Sequence, residues 1–137
     1  MKTISLTPPQ IEELIKIAKD SLPNECCAFL LGEHNDENKV AMILPMRNID
    51  ESPVSFSIDA AELLNAYTFA DTKGMEITAI FHSHPAKALP SSTDIKYMQI
   101  NPVAWVIYST IEDKIRAFVY ENEGIKEIGI KTIASKA

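Results

Sequence analysis

Apolar residues follow two rhythms along this chain. Ile11, Leu14, Ile15, Ile17 and Ala18 recur at helical spacing behind Thr7-Pro8-Pro9, and a threonine cap with proline in the first turn is a helix start. The first helix is therefore predicted over about residues 7–21, ahead of Pro23. Residues 26–31 form a continuous apolar run stopped by Gly32, short enough for a buried strand. The polar stretch 33–39, with His34-Asn35-Asp36, reads as a turn, and residues 40–46 as the returning strand of a hairpin. Residues 47–56 are loop-like. Ser57 or Asp59 then caps a second helix that Gly74 ends. A strand is predicted over residues 76–81, a proline-containing loop over 82–90, and a short third helix from Ser91 to the stop at Asn101-Pro102. The run VAWVIY at 103–108 is a strongly buried strand, and 115–120 and 125–130 are two more, joined at 121–124. Trp105 and Met98 lie on these apolar elements and are expected in the core. The order α, β, β, α, β, α, β, β, β predicts one α+β domain, a mixed β-sheet sandwiched by about three helices. There is no repeat, low-complexity segment or linker. The domain is expected over residues 1–130, with 131–137 as a C-terminal tail.

Composition narrows the class. A chain of 137 residues is one domain's worth and buries roughly two-thirds of its unfolded surface. With 46% hydrophobic and 23% charged residues it is not disordered. Thirteen Lys and Arg against nineteen Asp and Glu give a net charge of -6, which argues against nucleic acid or an anionic membrane as partner. No stretch approaches the ~20 apolar residues of a membrane span. The N-terminal sequence MKTISLTPPQIEEL lacks the apolar region of a signal peptide, so a cytoplasmic protein is expected. Adjacent Cys26 and Cys27 are poor disulfide partners and read as small buried hydrophobes. Three His and two Cys are the whole stock of soft ligands, so a metal site here is small and uses a carboxylate.

One segment carries candidate chemistry. His82 and His84 stand two apart at the end of an apolar strand; such residues share a face, and their rings can converge on one ion. Asp94 follows in the first turn of the third helix, in the pattern Ser91-x-x-Asp94. That pattern is also an ordinary capped helix start, and the two readings are compatible, because a capped carboxylate is well fixed for ligation. Two His and one carboxylate leave zinc's fourth position open, the arrangement of a catalytic site. Glu25 immediately precedes a buried strand, where partial desolvation tunes a carboxylate toward general-base work; the alternative is a solvated residue in the turn Pro23-Asn24-Glu25. Ser83 should face away from the ligands and be structural. His34 sits in a polar turn and reads as solvated.

These residues resemble the JAMM motif of the MPN (Mov34/PAD-1) metalloprotease family. The resemblance rests on Glu25 before the strand ending Leu30-Leu31-Gly32, on His82-Ser83-His84-Pro85, and on Pro90-Ser91-Ser92-Thr93-Asp94. The phrase Ser52-Pro53-Val54-Ser55-Phe56-Ser57-Ile58-Asp59 is also similar to the family's segment before its second helix. The resemblance covers nearly the whole chain and is that of a compact archaeal or bacterial single-domain member. It implies a cytidine-deaminase-like MPN fold and a JAMM catalytic domain over residues 1–130. It implies one catalytic zinc held by His82, His84 and Asp94. Glu25 would be the general base that later hands a proton to the leaving amine, and Ser91 would donate to the oxyanion, with Ser92 a rival that the spacing to Asp94 disfavours. The implied activity is a zinc isopeptidase that removes ubiquitin-like modifiers from lysines, by attack of a zinc-bound water on the Gly-Lys isopeptide carbonyl. Its partner would be a ubiquitin-like protein with a Gly-Gly tail, and its conjugates, docking near residues 47–60. The alternatives are a peptidase trimming the C-terminus of a ubiquitin-like sulfur-carrier protein, and a non-catalytic MPN scaffold. In scaffolds of this family ligand positions are substituted, whereas here all are present. Six residues separate His84 from Ser91; the family more often has one more, which bears on the shape of that loop.

Overall fold

The computed structural model describes residues 3–33 and 38–134. In chain order the elements are β1 (Thr3–Leu6), α1 (Pro8–Ser21), β2 (Cys27–Glu33), β3 (Met42–Met46), α2 (Ala60–Thr72), β4 (Met75–His84), α3 (Ser92–Ile100), β5 (Ala104–Ser109), β6 (Lys114–Glu121) and β7 (Gly124–Thr132). The strands form one mixed sheet in the order β1-β7-β6-β5-β4-β2-β3. Pairing is parallel for β1 with β7 and β4 with β5, and antiparallel elsewhere. This is the α+β architecture that the apolar pattern predicts.

Alternation along the strands gives the sheet two buried faces. Ala28, Leu30, Phe81, Val106 and Val119 meet Leu14 and Ala18 of α1 on one side. Phe29, Leu31, Ile80, Trp105 and Ile107 meet Ala66 and Ala70 of α2 and Met98 of α3 on the other. Each fully buried large apolar side chain contributes about 1.5–3 kcal/mol. The start of α1 is a complete capping box: Gln10 N donates to Thr7 Oγ1 at 3.3 Å and Thr7 N to Gln10 Oε1 at 2.9 Å, satisfying two otherwise orphaned helix-end groups.

Strand β1 is absent from the sequence reading. Its Ile4 and Leu6 are wholly buried, but its ladder partner is β7 at the far end of the chain, in the register Thr3↔Gly129 to Leu6↔Thr132. Four residues carry too little alternation to announce a strand whose partner is so distant. Ser5 also donates through its backbone N to Asn38 O at 2.6 Å and accepts from Val40 N at 3.0 Å, so the sheet curls round α1. Other boundaries move as well. β3 begins at Met42 rather than 40, and β4 continues through His84. β7 continues through Thr132, two residues past the expected domain end at 130. The turn expected at His34-Asn35-Asp36, and with it the solvation expected of His34, lies outside the described residues, as do residues 135–137 of the expected tail. Among the described residues no helix is long and apolar enough to cross a membrane.

A β-bulge sets the phase of β4. Leu30 pairs with Ala79 but Leu31 pairs with Ile77, leaving Thr78 as the extra residue. Ile77 and Ile80 consequently face the same side although three residues apart. A regular ladder continued from Leu31↔Ile77 would set Phe81, not His82, opposite Cys27. The bulge therefore decides which face both histidines take. Gly32 makes the bulge fit: a Cβ there would stand 2.5 Å from Thr78 Oγ1 and 2.7 Å from Lys39 O.

Candidate metal centre

Antiparallel pairing brings the beginning of β2 beside the end of β4, with Cys27 opposite His82. Glu25, two residues upstream of Cys27, thereby reaches the histidines. On the other flank β5 pairs His84 with Ser109, and the chain returns through residues 85–91 to α3, whose first turn carries Asp94. The site sits at the carboxyl end of a strand in a parallel pair, where side chains leave the sheet for a crevice.

All four acidic and histidine side chains are buried: His82 is 0% exposed, Asp94 3%, Glu25 5% and His84 6%. Glu25 Oε1 lies 3.5 Å from His82 Nδ1. Asp94 Oδ2 lies 3.4 Å from His82 Nε2 and 3.1 Å from His84 Nε2. Ser83 faces the other way, as expected, and its Oγ accepts from Cys26 N at 2.9 Å. Ser91 caps α3: its Oγ accepts from Asp94 N at 3.1 Å, and Asp94 Oδ2 accepts from Ser91 N at 2.9 Å. A capping hydroxyl used as an acceptor keeps its own O–H proton to donate, and Ser91 is exposed.

The charges are coupled. Burial alone would lower the His84 pKa, but the hydrogen bond and charge of Asp94, with the charge of Glu25, outweigh it and raise the value. Burial would raise Asp94, but the His84 hydrogen bond, the His82 charge and the Ser91 N–H bring it below the usual carboxylate range. Without an ion the two form a buried pair.

A divalent ion fits this donor set. Glu25, His82 and His84 each offer a ligand atom within 4.8 Å of the others. Both ring nitrogens of His82 are buried without a hydrogen-bond partner, a state that costs about 1–3 kcal/mol for each unmet group. Four-coordinate zinc holds His nitrogen and carboxylate oxygen at about 2.0–2.2 Å, so two such donors at the tetrahedral angle stand roughly 3.3–3.5 Å apart. The Asp94 contacts of 3.4 and 3.1 Å are close to that edge. Cys26 and Cys27 are free, buried thiols outside the group; burial, with the neighbouring charges, pushes Cys27 up to about 12.

Several supporting residues have no sequence signal of their own. The Phe56 ring lies 5.0 Å from that of His82, and Trp105 meets His82 edge-on at 5.7 Å. Phe56 and Trp105 also wall an apolar cavity of about 720 Å³ between the sheet, α2 and α3, with Phe29, Ile80 and Tyr97. The shortened His84–Ser91 loop is pinned by the turn after β5: Thr110 N donates to His84 O at 2.9 Å, Ala88 N to Glu112 Oε1 at 2.9 Å, and Ser109 Oγ to Ala86 O. Asn48 ties the loop before α2 to Glu25, with its Nδ2 donating to Glu25 O at 3.0 Å. Such roles depend on partners far away in sequence, which spacing rules cannot reach.

Known proteins are similar to this chain as a whole. A desampylase of Pyrococcus furiosus is 32% identical over 129 residues, covering 93% of this chain and 89% of its own. A CysO-cysteine peptidase of Mycobacterium tuberculosis is 29% identical over 101 residues, 73% of this chain and 68% of its own. The crystal structure of a JAB1/MPN domain protein from Archaeoglobus fulgidus superposes with a TM-score of 0.64 at 16% identity, covering 96% of this chain and 98% of that one, and so shares the fold. The model of the prokaryotic homologues of the JAB domain matches residues 7–120. With a match spanning β2, β4 and α3, the elements that build the centre, this chain belongs to that family of prokaryotic JAB-domain homologues.

Proposed function

We propose that this protein is a zinc-dependent isopeptidase that removes ubiquitin-like modifier proteins from substrate lysines. The observation that carries the reading is the buried meeting of Glu25, His82, His84 and Asp94, with neither His82 nitrogen in a hydrogen bond. The relative named desampylase supports the substrate class. His82, His84 and Asp94 would hold one zinc. When bound, zinc supplies Lewis acidity and a water acidic enough to attack near neutral pH.

The chain's own groups do the rest. Glu25 takes a proton from the attacking water as its oxygen bonds to the carbonyl carbon of the terminal glycine. As the carbon–nitrogen bond breaks, Glu25 returns that proton to the departing lysine amine, so Glu25 ends as carboxylate, the amine leaves neutral, and the water's other proton stays on the new glycine carboxyl group until it ionises. The Ser91 hydroxyl donates to the oxygen where negative charge develops. The Phe56 and Trp105 rings exclude water from the His82 side of the site and hold its ring in place. A Gly-Gly tail suits this reading, because glycine lets backbone come close to the reacting centre, and residues 47–60 are its docking region. A cytoplasmic location belongs to the same proposal.

The test is cleavage of a Gly-Gly–lysine isopeptide-linked fusion by protein as purified, stripped with a chelator, and reloaded with zinc. Activity should vanish on stripping and return on reloading. Undiminished cleavage by the stripped protein would sink the proposal. The relative named CysO-cysteine peptidase favours a second reading, trimming of a ubiquitin-like carrier's C-terminus by the same chemistry. Mass spectrometry of candidate carriers after incubation separates the two: a shortened carrier supports trimming, and a released intact modifier supports the isopeptidase.

A further inference from the structure

Glu25 stands outside the β-ladder that orders its neighbours. Strand β2 begins at Cys27, and both backbone polar groups of Glu25 are met by the loop that precedes α2. Glu25 N donates to Ser52 O at 2.8 Å, and Glu25 O accepts from Asn48 Nδ2 at 3.0 Å. The same Nδ2 donates to Ser55 O at 3.0 Å, while Asn48 Oδ1 accepts from Asp50 N and from Ser57 N, each at 3.1 Å. Two donated and two accepted bonds are all that one amide side chain can make. Asp50 Oδ2 braces the loop further by accepting from Ser55 Oγ and Ser57 Oγ. The loop also carries Phe56, whose ring lies tilted against that of His82 at 5.0 Å, and at its tip Val54 is 82% exposed.

We propose that Asn48 is a positioning residue: its side-chain amide clamps the loop over residues 48–57 to the Glu25 backbone and so sets where the Glu25 carboxylate stands beside His82. The catalytic consequence rests on the reading of Glu25 as general base; the clamp itself does not. One loop then carries both Phe56, which lies against His82, and the grip on the proton-transferring residue.

Asn48→Asp isolates the clamp. The aspartate is isosteric and keeps both acceptor bonds, from Asp50 N and Ser57 N, but has no N–H for Glu25 O or Ser55 O. Amide hydrogen exchange of the intact zinc-loaded chain, followed by NMR, reads the clamp without any substrate. Exchange at Glu25 N–H should accelerate at least about tenfold while the β2 amides from Ala28 onward keep their protection. On the isopeptide-linked fusion, kcat should fall roughly 10–100-fold, by more than KM rises, with zinc content unchanged. Unaltered exchange at Glu25 overturns the clamp. Altered exchange with wild-type kcat overturns its catalytic role. If the wild-type protein cleaves no isopeptide, the functional reading fails, and the exchange measurement still decides the clamp. Should Asn48→Asp not fold, the wild-type chain suffices: the Asn48 Nδ2 protons should exchange at least about tenfold more slowly than those of exposed Asn65, and equal rates overturn the proposal.

Discussion

At the scale of the residue, the Asp94 carboxylate caps α3 and faces both histidines through the same oxygen, Oδ2. Replacing it with an amide separates the two duties, provided metal affinity and stability are both measured. In Asp94→Asn the amide oxygen still accepts from Ser91 N, but the charge that a divalent ion needs is gone. Zinc affinity should fall at least about 100-fold, and the metal-free protein should lose about 1–3 kcal/mol as the buried pair with His84 goes; equilibrium dialysis and urea titration of the stripped protein measure the two. Cys27 behaves in the opposite way, as a nucleophile in name only. With its pKa pushed up to about 12, chiefly by burial, roughly one thiol in ten thousand is ionised at pH 8. Iodoacetamide should leave it unlabelled in the native protein at pH 8 and label it in urea, and native-state labelling as fast as that of the unfolded chain would contradict this. The meeting of His82, His84 and Asp94 is foreshadowed in the sequence, where a histidine pair at strand spacing precedes a carboxylate in a capped helix start; the role of Ser91, and the choice of Glu25 as base, enter only through the resemblance. Asn48 was not legible, since one asparagine in a polar loop looks like any other until its four partners are in place.

At the scale of the element, β4 does the most. It lies between β2 and β5, carries both histidines, and takes its phase from the Thr78 bulge. The pattern of apolar residues found the strand but not the bulge, because an extra residue shows only when two strands are laid side by side. The reading of His82 and His84 as sharing a face holds; that the face is the one covered by α3 depends on Thr78. Gly32 is the neighbour that permits it. Gly32→Ala would drive a methyl group into Thr78 Oγ1 and Lys39 O, and backbone at one of those contacts cannot swing away. It should cost about 1–3 kcal/mol in urea denaturation, and zinc affinity should fall with it as the end of β4 shifts. A variant as stable as wild type would mean that the bulge relaxes freely. Strand β1 shows the other limit of sequence reading: Ile4 and Leu6 are wholly buried, yet their partners Ile130 and Thr132 lie at the far end of the chain.

At the scale of the whole molecule, β2, β4 and α3 meet only in the folded sheet, so the group that could hold a metal ion exists only in the folded chain. An ion bound there stabilises the fold by mass action, about 2.7 kcal/mol at a hundred times its dissociation constant. For a chain of 137 residues that should raise the Tm by about 10 °C, and calorimetry with and without zinc measures it; an identical Tm would argue against the site. The net charge of -6 does not choose a chemistry, and neither does the order of elements. What chooses it is the meeting of Glu25 with His82, His84 and Asp94. The most direct test of that meeting compares wild type with Glu25→Gln on the isopeptide-linked fusion, with zinc measured in the same samples. One zinc per chain is expected in both proteins, and kcat should fall by about 10²–10⁴ in the variant. Equal cleavage by the two, at equal zinc content, would contradict the account.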